Sequence, residues 1–484
     1  MKQVVQVVDA HPSPRPWYVV AVGCVSQVHG FRPELQLALA SIPPGVPFLV
    51  ARMVLHQHSG LFNIDFALLT VLVVCGYRVI ASALFLLTCV LECLRLLDAV
   101  YFFSEQDLTF GAHFLADVSP YVVAAWVFGC SALCAALLAG WLALVPRTRP
   151  KDMHLTVLPL AVLLAVAACV DVAQGFNPLL VKPHGRPRPH LVGEVLVRMP
   201  LELSRGMGRD EPATPLQHSA TDTLWGAAAA RTKRENVVVV VVESMGLLVD
   251  SAARAQQFAG LVDDASIRAR YTVEEGSVPF TGPTVVGEMR ELCHLRTNVH
   301  VGPATLRGQP PCLPQQYAAA GYQTAAYHGY NEHLFMRKQW YPSIGFQERV
   351  FASGMAGLPH CPGAFFGVCD TAVAAVIERR LVQERQLAGP PQFLYWMTLN
   401  SHLPISTAGL GRYSCPITAG SEVCSQLGLV NRVLESVKTL ALDPAIGPTT
   451  IVVVGDHAPP YADVLRREWF DDGLVPFLVL QPRA

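Results

Sequence analysis

Charge is scarce in this sequence. Asp, Glu, Lys and Arg supply 15% of the 484 residues, against 52% hydrophobic residues. Soluble domains carry about a quarter of charged residues, so part of the chain is expected in a membrane. There is no basic excess either: 36 Lys and Arg stand against 37 Asp and Glu, which speaks against a nucleic-acid partner. The first 30 residues lack the basic start and compact apolar core of a cleaved leader, so no signal peptide is read there. No internal repeat and no low-complexity tract is present.

The apolar excess sits before about residue 175. Residues 121–145 form a run of 25 without a charge, and a membrane-spanning helix needs about 20. A second uncharged run covers 155–170, and a third covers 66–91, broken only by Arg78. A segment at 37–55, interrupted by Pro43, Pro44 and Pro47, is a weaker candidate. Residues 1–175 are therefore expected to be a multi-span transmembrane domain of four or five helices. The short connection after residue 145 carries Arg147, Arg149 and Lys151, which favours the cytoplasmic side. The chain beyond about 175 then lies outside the cytoplasm. Residues 176–234, rich in Pro, Arg, His and Gly, read as a membrane-proximal linker. An amphipathic helix at 192–207, divided by Pro200, is expected on the bilayer surface.

Residues 235–484 open with Asn236 and six valines, a β-branched run that suits a strand buried on both faces of a parallel sheet. Further strands are expected near 322–327, 393–398 and 450–454, and helices near 251–261, 285–293, 370–386 and 427–441. Strands alternating with helices predict an α/β fold with a mostly parallel sheet. Of 13 cysteines, six lie in this part: Cys293, Cys312, Cys361, Cys369, Cys415 and Cys424. An even number in an exported domain predicts three disulfides, with pairing between sequence neighbours expected among the connectivities open to six cysteines. Reduced structural thiols are the alternative.

In parallel sheets ligands collect beyond the carboxyl ends of the strands. One strand here runs into Glu243, another into Asp456 and His457. Carboxylates with an imidazole suit Zn²⁺ or Mn²⁺; a solvated loop residue or a helix cap is the plainer reading of Glu243 alone, and the Asp456–His457 strand end is the stronger signal. Between them a Gly/Pro-rich stretch from Gly276 reads as a loop, after which Val285, Met289 and Leu292 recur at helical spacing. Thr284 then starts a helix, where its hydroxyl and the helix dipole meet an anion, or where it serves only as a cap. Thr281 is the competing hydroxyl. His328, at a strand end, and Arg337, nine residues on, make a phosphate clamp or a surface loop. His402 lies on a strand-to-loop exit.

Taken in order, these segments resemble the lipoteichoic acid synthase and phosphoethanolamine (phosphoglycerol) transferase branch of the sulfatase/alkaline phosphatase superfamily, over about 236–484. The resemblance implies a divalent metal, Zn or Mn, held by Glu243, Thr284, Asp456 and His457. It implies Thr284 as nucleophile, with the Thr-x-x-x-Glu spacing of the synthases matching Thr284 and Glu288. It implies His328, Arg337 and His402 as phosphate and substrate contacts, and the pairs 361/369 and 415/424 look like the disulfides of the phosphoethanolamine transferases. The implied enzyme is multi-pass in a bacterial inner membrane, with its catalytic domain on the extracytoplasmic side. It would move a phospholipid head group, through a phosphothreonine, to an envelope glycan or lipid acceptor. A hydrolase on the same scaffold and a non-catalytic envelope-assembly protein are the alternatives. Departures limit the likeness. The surroundings of Thr284 differ from those of the lipid A-modifying enzymes, and little chain follows the strand expected at 475–480, so no accessory tail contact is expected. The sulfatase signature Cys/Ser-x-Pro-x-Arg is missing: its nearest match, from Cys312 to Gln316, has Gln for Arg. That argues against a formylglycine sulfatase.

Overall fold

The computed structural model describes residues 40–54, 63–101, 120–145, 213–226 and 235–483, together with positions 158, 162 and 166; within the last segment 298–300, 302–304, 364, 404, 408–409, 411–412, 419 and 462–463 are left out. The expected second apolar run and the expected amphipathic helix fall largely or wholly outside the described residues.

Four apolar helices are described before residue 175: α1 (Val46–Val54), α2 (Ile64–Val74), α3 (Arg78–Tyr101) and α4 (Pro120–Leu144). The run 66–91 is therefore two helices and not one span: the chain turns at Gly76, whose φ of +98° lies in the left-handed region that glycine adopts freely. Phe85 stacks on Trp141 at 4.5 Å and meets Phe66 at 5.1 Å, tying α2, α3 and α4 together. The buried Trp141 indole N–H donates to Thr70 Oγ1 (3.0 Å), so the cluster strands no indole donor. Among the described residues one helix, at Val127–Leu144, is long and apolar enough to cross a membrane. Apolar side chains on it face outward, Phe128 being 77% exposed.

The second unit is a three-layer α/β sandwich. The seven strands of its central sheet are β1 (Asn236–Val242), β2 (Tyr271–Pro279), β3 (Gln323–His328), β4 (Glu348–Val350), β5 (Gln392–Met397), β6 (Thr449–Gly455) and β7 (Leu474–Pro482). They lie in the order β2-β7-β6-β1-β5-β3-β4. From β6 to β4 all neighbours are parallel, and β7 runs against both β6 and β2. The valines of β1 are wholly buried. Val237, Val239 and Val241 join one core with Val285, Met289 and Leu292, and Val238, Val240 and Val242 join the other with Ile377, Val433 and Val437. Helix α5 (Thr284–Cys293) thus covers one face, while α6 (Asp370–Gln386) and α7 (Ser421–Leu442) cover the other.

The expected elements are present within a few residues, except that 251–261 is two short helices, Ser251–Gln257 and Ala259–Val262. One expectation fails. Gly276 to Pro279, read as loop, belongs to edge strand β2, where Gly276 sits opposite Phe477. A side chain there would stand 2.7 Å from the Phe477 ring, so the glycine marks a close cross-strand contact and not a turn. The six cysteines form three disulfides, Cys293–Cys312, Cys361–Cys369 and Cys415–Cys424.

Candidate active site

Register decides what meets at the carboxyl edge of the sheet. β1 and β6 are adjacent and parallel, with Gly455 paired to Val242. The next residues, Asp456 and Glu243, therefore emerge side by side, though more than 200 residues separate them in sequence. His457 follows Asp456, and α5 brings Thr284 over the same edge. Glu243, Asp456 and His457 are buried, and their ligand atoms lie within 4.8 Å of one another.

Thr284 Oγ1 donates to Glu243 Oε2 at 3.2 Å and lies 3.5 Å from His457 Nε2. Thr284, the first residue of α5, carries the hydroxyl that reaches the cluster; Thr281 lies before the helix. His457 Nδ1 lies 2.9 Å from the Ala458 carbonyl, which assigns the ring proton to Nδ1. Nε2 then faces Thr284 Oγ1 at 3.5 Å, Asp456 Oδ2 at 3.3 Å and Glu243 Oε1 at 3.5 Å. Asp456 Oδ1 accepts from the backbone N–H of Ser244 (2.8 Å) and of His457 (2.7 Å), whereas buried Oδ2 has no hydrogen-bond partner. Lone pairs converging around an orphaned carboxylate oxygen fit a cation. Two carboxylates, an imidazole and a hydroxyl form a donor set suited to Zn²⁺ or Mn²⁺. The charge balance agrees. Burial, with the Glu243 charge adding to it, pushes the Asp456 carboxyl up to about 7. For His457 burial works against the imidazolium, but Asp456 and Glu243 outweigh it and raise the pKa.

The surroundings of this set were not legible in the sequence. Ser244 adopts a left-handed φ of 55°, strained for a non-glycine residue. That conformation lets its N–H reach Asp456 and its hydroxyl reach Glu243 Oε1 (2.9 Å). Thr398 Oγ1 accepts from the Glu243 N–H, and Ser401 Oγ donates to the Glu243 carbonyl. The loop that carries both is held by Asp370, whose carboxylate accepts from the N–H groups of Leu399 (3.0 Å) and Asn400 (2.8 Å). Gly287 lets α5 lie directly on the end of β6, for an added Cβ would meet Asp456 Cα at 2.9 Å. Gly287→Ala is expected to displace Asp456 and to weaken Mn²⁺ binding by about 10–100-fold, as loss of a ligand's supporting contacts commonly does. Equilibrium dialysis measures this, and unchanged affinity would show that the helix gives way instead.

The structure brings His328 and Arg337 together but turns them onto Glu288, one helical turn beyond Thr284. Arg337 donates to Glu288 Oε1 through Nε (2.9 Å) and Nη2 (2.6 Å), and its Nη1 lies 3.2 Å from His328 Nε2. The Tyr341 hydroxyl lies 3.3 Å from Glu288 Oε2. All four residues are buried. The expected clamp is thus closed on an internal carboxylate, because a buried guanidinium needs a paired charge. Burial raises the Glu288 pKa even with Arg337 beside it. Burial and the Arg337 charge hold His328 neutral, well below its ordinary value. His402 lies nearer the metal-donor set: burial and His457 push it down to about 4, and its ring meets Phe365 edge-on at 4.7 Å.

Two carboxylates, an imidazole and a helix-borne hydroxyl thus meet on the carboxyl rim of a parallel sheet, where α/β folds bind their ligands. The sulfatase family model matches residues 235–483, and the chain belongs to that family. No curated protein matches the chain. Solved structures to which it is similar include the lipoteichoic acid synthase LtaP from Listeria monocytogenes. That likeness has 16% identity and a TM-score of 0.42, over 55% of this chain and 68% of that one. Another is the Streptococcus pyogenes phosphoglycerol transferase GacH in complex with sn-glycerol-1-phosphate, at 17% identity and a TM-score of 0.38 over 56% and 77%. A third is the C-terminal periplasmic domain of EcEptC from Escherichia coli in complex with Zn, at 12% identity and a TM-score of 0.35 over 57% and 78%.

Proposed function

We propose that this protein is a membrane-anchored, metal-dependent transferase. It takes a phosphoethanolamine or phosphoglycerol head group from a membrane phospholipid onto Thr284 and passes it to an envelope glycan or lipid acceptor. The observation that carries this reading is the Thr284 hydroxyl at the start of α5, hydrogen-bonded to Glu243 at the edge of the Glu243–Asp456–His457 set. Residues 235–484 act as the extracytoplasmic catalytic domain behind a linker at 176–234, and residues 1–175 span the inner membrane more than once. The outward-facing apolar helix at Val127–Leu144, the basic loop after residue 145 and the three disulfides support this placement.

Glu243, Thr284, Asp456 and His457 would hold the metal, which when bound polarises a phosphoryl oxygen and lowers the pKa of the threonine hydroxyl. Thr284 Oγ forms a bond to the head-group phosphorus as the bond to the diacylglycerol oxygen breaks. Thr284 gives up one proton and diacylglycerol takes up one. Glu243 Oε2 orients the hydroxyl beforehand, and the start of α5 directs its positive dipole end at the phosphate. His402, neutral at physiological pH, meets substrate as a hydrogen-bonding group and not as a cation. The Glu288–Arg337–His328 network braces the helix one turn behind the nucleophile.

Intact-mass analysis of the full chain tests this, wild type against Thr284→Ala, after incubation with metal and mixed phospholipids. A mass increment on wild type, absent from the variant, is expected, and its size names the head group. Lipid turnover without an increment would instead mark a hydrolase. Neither increment nor bound metal would sink the catalytic reading.

A further inference from the structure

The sulfatase match begins at residue 235, yet residues 213–226 are built into the site from behind. Thr214 and Pro215 pair with Arg296 and Leu295 just beyond α5, and the Leu216 N–H donates to the His294 carbonyl (2.7 Å). Trp225 stacks on His294 at 4.0 Å, and Ala213, Ala220 and Leu224 enter the core that contains α5. The tightest link is Thr221. Its hydroxyl donates to the Glu291 carbonyl at 2.7 Å, and its N–H donates to Glu291 Oε2 at 3.2 Å. The other carboxylate oxygen of Glu291 accepts from Arg290 Nε at 2.5 Å. Arg290 then reaches across to the sheet. Its Nη2 donates to the Gly455 carbonyl (2.6 Å), and its Nη1 to the carbonyls of Asp456 (3.3 Å) and Pro279 (3.1 Å). Thr221, Arg290 and Glu291 are all buried.

This relay runs from the membrane-proximal segment to the backbone of Asp456. A guanidinium shared among three carbonyls at the ends of β2 and β6 fixes those ends relative to α5, which bears Thr284. The Arg290 charge is neutralised by Glu291, and Glu291 is in turn held by Thr221, so the segment completes a buried polar network. We propose that residues 213–226 are a working part of the metal centre, with Thr221 a positioning residue that acts on Asp456 through Glu291 and Arg290. The proposal rests on the metal-dependent reading above. It extends the functional unit upstream of the family match, into the segment that leads back to the membrane.

The test is Mn²⁺ affinity of the full chain in detergent, measured by equilibrium dialysis, with near-UV circular dichroism as the check on folding. Thr221→Val keeps the shape and the N–H bond but loses the hydroxyl's bond to the Glu291 carbonyl, with its contacts to Ser219 Oγ and Trp225 Nε1; Arg290→Lys keeps the charge but cannot serve three carbonyls at once. Each is expected to bind Mn²⁺ about 10-fold or more weakly than wild type, the usual effect of removing outer-sphere support. Thr221→Ser should restore wild-type affinity. Tyr317→Phe removes another anchor of the segment, the bond to the Leu224 carbonyl, without touching the relay, and should leave affinity unchanged. Folded Thr221→Val and Arg290→Lys proteins that bind Mn²⁺ like wild type would overturn the proposal, as would an equal loss in Tyr317→Phe. If wild type itself binds no divalent metal, the metal-dependent reading falls, and this inference with it.

Discussion

Stripping the protein of metal is expected to invert the dependence of its stability on pH. In the metal-free protein the Asp456 carboxyl is raised from 3.8 to about 7 by burial and by Glu243. A raised folded-state pKa contributes stability that is fully present below the unfolded value. It is lost as pH climbs to the folded value, because the unfolded chain ionises first. Asp370, also raised to about 7 by burial, has the same sign. Chelated protein should therefore lose stability between about pH 4 and pH 7, by at most about 4 kcal/mol for each carboxyl. With metal present the trend reverses, since the ligands bind only when deprotonated. At a thousandfold excess of metal over its Kd the stabilisation is about 4 kcal/mol. Asp456→Asn should abolish the response to metal and lower activity by at least about a thousandfold, as loss of metal catalysis commonly does. The same variant, without metal, should be more stable than wild type at pH 8, because it removes a buried carboxylate from beside Glu243. Thermal melts from pH 4 to pH 8, with chelator and with Mn²⁺, decide the matter. Superimposable melts would show that these residues hold no metal.

Arg337→Met is expected to destabilise the α/β unit strongly. It leaves the Glu288 carboxylate fully buried without its partner. Breaking a buried pair from one side costs about 3–5 kcal/mol. In a domain of this size that lowers Tm by about 10 °C. The double variant Arg337→Met/Glu288→Leu should recover much of the loss, because an apolar pair of similar volume needs no compensating charge. Thermal denaturation of the three proteins measures both effects. A single variant within about 2 °C of wild type would mean that water reaches Glu288. Activity should fall with stability here, because Glu288 stands one turn from Thr284, the proposed nucleophile, and its movement tilts that residue.

Legibility was greatest where a pattern is local. Six consecutive valines have no polar face to offer solvent, and such a run is stable only when sheet neighbours and helices cover both sides. The ends of β1 and β6, and the start of α5, followed from where apolar runs stop and polar residues begin. The edge strand β2 was missed because it obeys another rule. It pairs on one side only, so it tolerates Glu274, Glu275 and Gly276 in a stretch without a hydrophobic signature. The short helices at Leu313–Ala319 and Arg337–Ser343 were missed because seven residues give too little periodicity to detect.

The sequence by itself determined the α/β class, five of the seven strands of the central sheet, and that Glu243 and Asp456 follow strand ends while Thr284 starts a helix. It could not determine which strands are neighbours. An all-valine strand fits any register equally well, so the pairing of Gly455 with Val242, which sets Asp456 beside Glu243, is a tertiary decision. Tertiary structure also turned Arg337 inward onto Glu288, because an arginine buried in this core must find a carboxylate there. It gave Ser244, Thr398 and Ser401 their roles, since hydrogen bonds between strand ends exist only after the sheet has formed. And it carried the site back to Thr221, because the donors and acceptors of a buried network are satisfied by whatever the packed chain brings near them, irrespective of distance in sequence.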